Sequence, residues 1–313
     1  MKTYLSALIF AVLTLLSFNV SATVLYVNLN CTNPVSPYAD WSTAATNIQD
    51  AVDAATNGDL ILVTNGVYQT GGAITKTNFF FPPEFNRVAA TKPVAIASIN
   101  GVAETVIEGG AGNSFRCVFL TNGASLSGFT LRDGVMALTW GGEVFCYSNA
   151  AVFNCVISNN YAARGGGAYG GTLSNCILAH NSATHGGGAA SNVLINCLIM
   201  GNSVSGQGGD GGGAIQSTLN NCVISGNSAT GILAAGGGTS GGTLNNCLGQ
   251  GNLAVQGGGS ANCTLNNCLF IANAAGTGGG VFDSTLNNCT IVGNSATNSG
   301  GGAGTTLSYT TTS

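Results

Sequence analysis

A cysteine recurs down this chain at a fixed stride. Cys155, Cys176, Cys197, Cys222, Cys247, Cys268 and Cys289 stand 21 or 25 residues apart. Each follows an asparagine (Asn154, Asn175, Asn196, Asn221, Asn246, Asn267, Asn288). Each precedes another by five positions (Asn160, Asn181, Asn202, Asn227, Asn252, Asn273, Asn294). A period this short means stacked units, each too small to bury a core alone.

The unit reads Thr-Leu-x-Asn-Cys-x-Ile-x-x-Asn-x-Ala, a variable loop, then three glycines, as in the segments starting at Thr172 and Thr218. Cys176 and Leu178 are two apart, the spacing of one strand face. Leu173 can join that face only through a bend. Asn175 is suited to supply it, because Asn tolerates left-handed backbone, and stacked Asn side chains can bond from coil to coil. The glycine runs begin at Gly165, Gly186, Gly211, Gly236, Gly257 and Gly278, always 11 residues before the next Cys, but 10 or 14 after the previous one. Length variation is thus confined to one segment, expected to be an outward loop where extra residues cost little.

These features select an all-β parallel β-helix. Glycine runs and β-branched residues disfavour paired helices, a leucine-rich repeat needs several ordered Leu positions, and a propeller needs about twice the period. The register reaches back to Phe129, which takes the Cys position. Pro93–Ile96 and Thr105–Ile107 read as strands before it. Ile48, Val52 and Ala55 share a helical face, predicting a short amphipathic helix that caps the first coil.

Three segments follow. Residues 1–22 carry Lys2, an apolar run from Leu5 to Leu16 and a small-residue site at Val20-Ser21-Ala22, the pattern of an export signal. No later stretch is apolar enough for a transmembrane segment. Residues 23–92 form the N-terminal cap and first coil, with an aperiodic excursion over 70–92. Residues 93–313 are coils, and Thr306-Leu307-Ser308-Tyr309-Thr310 restarts the unit just before the chain stops. That last coil is expected to be covered by further sequence or another chain.

Of 7 Lys+Arg and 11 Asp+Glu, only Lys2 lies in the export signal, so the mature chain is acidic. Nucleic acid is excluded as a partner, because a phosphate-binding surface needs clustered cations. The 11 cysteines suggest disulfides in an exported chain, but their periodicity favours stacked buried thiols; vertical disulfide pairs remain open. No metal or cofactor is expected. There is no CxxC pair, and thiols spread along an axis do not make a tetrahedron.

The entry segment Tyr26-Val27-Asn28, then Ile48-Gln49-Asp50-Ala51-Val52, Gly58-Asp59-Leu60-Ile61-Leu62-Val63 and Gly66-Val67-Tyr68, resembles the cap and first coil of the exported right-handed parallel β-helix proteins of the pectin-lyase-like superfamily. The resemblance covers residues 25–310. It implies a right-handed parallel β-helix solenoid with a short N-terminal capping helix. Gly212-Gly213-Ala214-Ile215 and Ile224-Ser225-Gly226-Asn227 are similar to the paired motifs of polymorphic outer membrane protein repeats, which belong to surface adhesins. Their anchoring barrel has no counterpart here. Lyases of the resembling fold use clustered acidic residues for Ca²⁺ and a basic residue, and hydrolases need two nearby carboxylates.

Charge is sparse in the coils. Twelve residues before each Cys lies a column of Glu143, Arg164, His185, Asp210, Ala235, Gln256 and Thr277. Adjacent rungs would place Glu143 by Arg164 and His185 by Asp210, about 5 Å apart. This is the candidate catalytic or binding column. Its alternative is a solvated ladder of pairs worth about 0.5 kcal/mol each. Asp133, Asn159 and His180 form a second polar column, and Trp140 and Tyr169 could stack on a sugar. The preferred expectation is an exported, secreted or cell-surface β-helix that is non-catalytic. It would contact surface glycans or host or matrix proteins, in adhesion or carbohydrate binding. The alternative is a polysaccharide lyase or glycoside hydrolase acting on an extracellular polysaccharide.

Overall fold

The computed structural model describes residues 22–75, 83–110, 115–142, 144–147, 149–304 and 308–310. Across them the chain winds as a right-handed parallel β-helix with one short N-terminal helix. A representative coil has four faces: Ala151–Phe153 (face A), Val156–Ser158 (face B), Tyr161–Arg164 (face C) and Ala168–Tyr169 (face D). Successive coils stack these into sheets of 12, 10, 8 and 10 strands.

Four left-handed residues turn each coil. In this one they are Asn154 (φ 51°), Asn159 (φ 59°), Gly165 (φ 65°) and Gly170 (φ 70°). The asparagine before each cysteine is the first corner, and its side chain suits that geometry. The third corner demands glycine for a second reason. The chain there runs against the stack, and a Cβ at Gly212 would lie 2.4 Å from the carbonyl oxygens of both Gly237 and Ser228.

Inside, each coil contributes one residue from face A, the cysteine after the first corner, and one residue from face B. Leu173, Cys176 and Leu178 are such a set, each at most 1% exposed. Sequestering a side chain of this size from water stabilises the stack by roughly 1.5–3 kcal/mol. The eleven cysteines are free thiols. Those of the column donate to carbonyls, as Cys197 does to Leu173 (3.5 Å) and Ile195 (3.3 Å). Burial pushes the thiols of Cys146 and Cys155 up to about 12.

A second internal column is polar and fully satisfied. Asn202 Nδ2 donates to Asn227 Oδ1 (3.0 Å) and to the Leu178 carbonyl (2.9 Å). Its Oδ1 accepts from the Asn181 backbone N–H (2.9 Å) and from Asn181 Nδ2 (3.0 Å). Asn160, Asn181, Asn227, Asn252, Asn273 and Asn294 continue the same ladder. Every donor and acceptor of the Asn202 amide is used, which is what makes its burial tolerable.

The helix Ile48–Ala54 starts at Asn47, whose side chain accepts from the Asp50 backbone N–H. Ile48, Ala51, Val52 and Ala55 are buried and join the main core, so the helix closes the first coil. The excursion over 70–92 is only partial. Ala73–Thr75 pairs antiparallel with Glu84–Ala90, but Glu84–Ala90 also pairs parallel with Phe115–Leu120 and is therefore part of the stack. It was illegible as a coil because its outward residues, Phe85 and Arg87, follow no repeat. The export signal lies outside the described residues but for Ala22, as does much of the terminal restart; Ser308–Thr310 pairs with Thr285–Asn287. No helix among the described residues is long and apolar enough to cross a membrane.

Candidate active site

Charged side chains meet on the early coils, where face B turns into face C. The parallel register sets Glu108 beside Arg132. Arg132 Nη2 lies 3.2 Å from Glu108 Oε2, and its Nε lies 3.5 Å from Asp133 Oδ2. One guanidinium thus links two carboxylates. The three side chains remain 42%, 28% and 41% exposed for Arg132, Glu108 and Asp133, open to a ligand. Asp133 sits at the second corner with φ 60°, which turns its carboxylate off the end of the strand.

The patch is braced from behind. Arg87 Nε donates to the carbonyls of Glu108 (3.0 Å) and Gly109 (3.2 Å), and its Nη1 donates to Gly71 (3.1 Å). Its guanidinium also lies 4.5 Å over the Phe115 ring. Two rungs further along the same corner stands His180 (φ 56°), with Asn159 between. A Cβ at Gly201 would come within 2.8 Å of the His180 ring, so glycine leaves room for the imidazole on the next coil.

The column anticipated from sequence is partly assembled. Arg164 pairs in register with His185, and the Gly186 N–H donates to the Asp210 carbonyl on the following rung (2.9 Å). Arg164 reaches past them, with Nη2 2.6 Å from Gln216 Oε1. Asp210 Oδ1 accepts from the Ala235 N–H (3.0 Å), a bond that holds the third corner of the next coil. The expected contact between Glu143 and Arg164 is corrected. Arg164 pairs with Trp140 instead, because Val144 pairs with Ala168 while Ala151 pairs with Thr172. Three extra residues around Tyr147 therefore displace the count back from Cys155. Glu143 itself lies outside the described residues.

Tyr169 belongs to an outward aromatic ladder on face D. Phe119 and Phe145 stack at 5.6 Å and Phe145 and Tyr169 at 5.3 Å, so ring faces are engaged with one another. Below this ladder Arg116, fully buried, pairs with Glu84 (2.9 Å) and also donates to Asn86 Oδ1 and the Gly141 carbonyl. Its satisfied geometry marks it as a brace between coils. Among the described residues no group of three or more His, Cys, Asp or Glu could hold a metal ion.

Glu108 and Arg132 were missed by sequence reasoning. The signal was present: aligning Thr105-Val106-Ile107-Glu108 with Ser127-Gly128-Phe129-Thr130-Leu131-Arg132 on the inward Ile107 and Leu131 brings them together. The repeat register reached Phe129 but not Thr105–Glu108, so it did not bring Glu108 to Arg132.

The chain shares its right-handed parallel β-helix fold with solved structures. Pectate lyase Pel9A superposes with a TM-score of 0.51 at 12% identity, over 90% of this chain and 79% of that one. An alginate lyase from Paenibacillus sp. str. FPU-7 gives 0.45 at 14% identity, over 82% and 96%. The pectin methylesterase PemA from Erwinia chrysanthemi gives 0.42 at 11%, over 79% and 80%. No family model matches the sequence, and no curated protein matches it. The likeness at this identity is one of fold. The preferred expectation of a non-catalytic adhesion module, and with it the expectation against an enzyme, is corrected: the fold from which it was read is also that of pectate lyase Pel9A.

Proposed function

We propose that the protein is an enzyme that cleaves an extracellular polysaccharide where Glu108, Arg132 and Asp133 meet. The observation that carries this reading is the single exposed guanidinium bridging two carboxylates on a solenoid that is otherwise poor in charge. Two carboxyl groups beside one another are what glycoside hydrolysis requires. One, protonated, gives its proton to the glycosidic oxygen as the C–O bond breaks, and the other takes a proton from the attacking water. Arg132 holds both in position. Lyase chemistry would need a base able to remove a ring proton, and an arginine is too weakly acidic for that role at neutral pH. Hydrolysis is therefore the better fit to these residues. Residues 1–22 serve in this reading as an export signal that brings the enzyme to its polymer.

The test is an assay of new reducing ends on a panel of neutral and acidic polysaccharides, with ultraviolet detection of unsaturated sugars to register a lyase. Asp133→Asn and Glu108→Gln are each expected to lower turnover by about 10²–10⁴-fold with little change in melting temperature. Undiminished product release by both variants would remove the patch from consideration. If release then failed on His185→Ala, the site would move to the Arg164–His185–Asp210 corner.

A further inference from the structure

We infer that face B binds the substrate along the solenoid axis, and that this substrate is a neutral polysaccharide with apolar ring faces. The inference rests on the hydrolase reading for its starting point and goes beyond it in naming the polymer. Immediately after the rung of Arg132, the outward positions of face B change character. Thr130 pairs with Val156, and the same column continues as Ile177, Leu198, Val223, Leu248 and Leu269. All six are half-buried or exposed, and Ile177 and Leu269 are each 37% exposed. The parallel outward column, which begins beside Arg132 at Ser158, includes exposed Met200 and Ile271 and has no ionisable side chain as far as Ile271. The result is a flat, uncharged strip about 24 Å long at about 4.8 Å per rung.

The fold does not require aliphatic residues there. Face A is built from the same coils with the same pairing, yet after Phe153, Val193 and Ile195 its outward columns turn polar and carry Thr218, Thr243, Thr264 and Thr285 beside Asn220, Asn245, Asn266 and Asn287. A solvent-facing apolar strip of this extent marks a contact surface. Its occupant follows from charge and continuity. A polyuronate would set a carboxylate on every ring against one aliphatic column and a neighbouring column of Ser158, Ala179, Met200, Ser225, Gln250 and Ile271, neither of which offers a cation, and an unpaired charge there is costly. The acidic chain as a whole also repels a polyanion. A ribbon of neutral, equatorially linked sugars instead presents axial C–H faces at a repeat close to the strand spacing, and it reaches the Glu108–Arg132–Asp133 patch without leaving the strip.

The experiment measures depletion from solution by insoluble cellulose, chitin and mannan, and mobility shift in gels containing polygalacturonate or alginate, at low and high salt. It compares wild type with Leu198→Lys and Ile177→Lys on the strip and Thr243→Lys on face A. Binding to at least one neutral polymer, insensitive to salt, is expected. It should weaken about tenfold in both strip variants and persist in Thr243→Lys. Two strip variants guard against one misfolding, and their melting curves should match wild type. Salt-sensitive binding to the polyuronates alone, binding to no polymer, or binding unchanged in both strip variants would overturn the inference. A dimer in sedimentation that Leu198→Lys dissociates would assign the strip to a second copy, and capture by neutral lipid vesicles would assign it to a membrane; either also overturns it. If neutral-polymer binding holds while no polymer is cleaved, the strip stands and the hydrolase reading fails.

Discussion

The early coils and the late coils are built to the same register and differ in almost everything else. Fourteen of the charged residues lie between Asp40 and Glu143, whereas beyond Glu143 only Arg164, Asp210 and Asp283 remain. The late coils, from residue 149 onward, hold the thiol column and nearly all of the asparagine ladder. The early coils break both patterns and carry an internal ion pair, the Arg87 brace and the exposed Glu108–Arg132–Asp133 group. A repeat can specify a scaffold by saying the same thing on every rung. A site needs residues that differ from rung to rung, so in this molecule chemistry collects where periodicity lapses.

The sharpest way to probe this contrast is to break one internal polar contact in each region. Glu84→Ala would leave Arg116 buried without its carboxylate and is expected to cost about 3–5 kcal/mol in urea unfolding. A loss below about 1 kcal/mol would mean that water reaches the guanidinium. In the late coils, Asn227→Leu removes the acceptor of both the backbone and side-chain N–H of Asn202, and takes away the side-chain donor to the Ile199 carbonyl and to Asn252 Oδ1. The expected cost is about 3 kcal/mol. A nearly neutral result would show that the ladder aligns coils without stabilising them.

The thiol column predicts a pH response. Cys146 and Cys155 are held up near 12 by burial, while a thiol in the unfolded chain titrates near about 8.5. Between these values the folded state retains protons that the unfolded state gives up. Stability should therefore be level below the unfolded value and fall as pH rises above it, by about 1.4 kcal/mol per thiol per pH unit. Denaturant melts from about pH 8 to 10 would record this, and Cys155→Ala should lessen the slope by about one proton. A flat profile would mean the thiols are oxidised. The smallest effect belongs to Arg164→Ala. Its contact with Gln216 is exposed, so stability should change by less than about 1 kcal/mol. A larger loss would show that this surface strap secures neighbouring coils after all.

The architecture was legible because its determinants repeat. Asn before Cys, Asn five later and the glycine runs are respectively a corner, an internal ladder and another corner, and each recurs often enough to be aligned. The four-faced shape was harder to read, since two-residue strands such as Ala189–Ala190 have no periodicity of their own. The charged patch was not legible. Glu108 and Arg132 are 24 residues apart, and their adjacency depends on a register set by Ile107 and Leu131 rather than by any cysteine. For Glu143 the count failed locally, because three additional residues near Tyr147 enter between two faces that otherwise keep a constant separation.

Two of the cysteine-to-cysteine coils are longer than the others, and both take up their extra residues before the third corner, where Val204 leads to Gly211 and Ala229 to Gly236. These two protrusions lie against one another, with the Gly208 N–H donating to the Ile232 carbonyl (2.7 Å) and the Thr230 N–H to that of Val204 (3.2 Å). Ile232 and Leu233 stand 70% and 69% exposed at the crest. The rod therefore has a mounting point at each level that can be lengthened without shifting a single rung. New side chains could be hung there at chosen heights, like pegs along a ruled edge, while everything inside keeps its place.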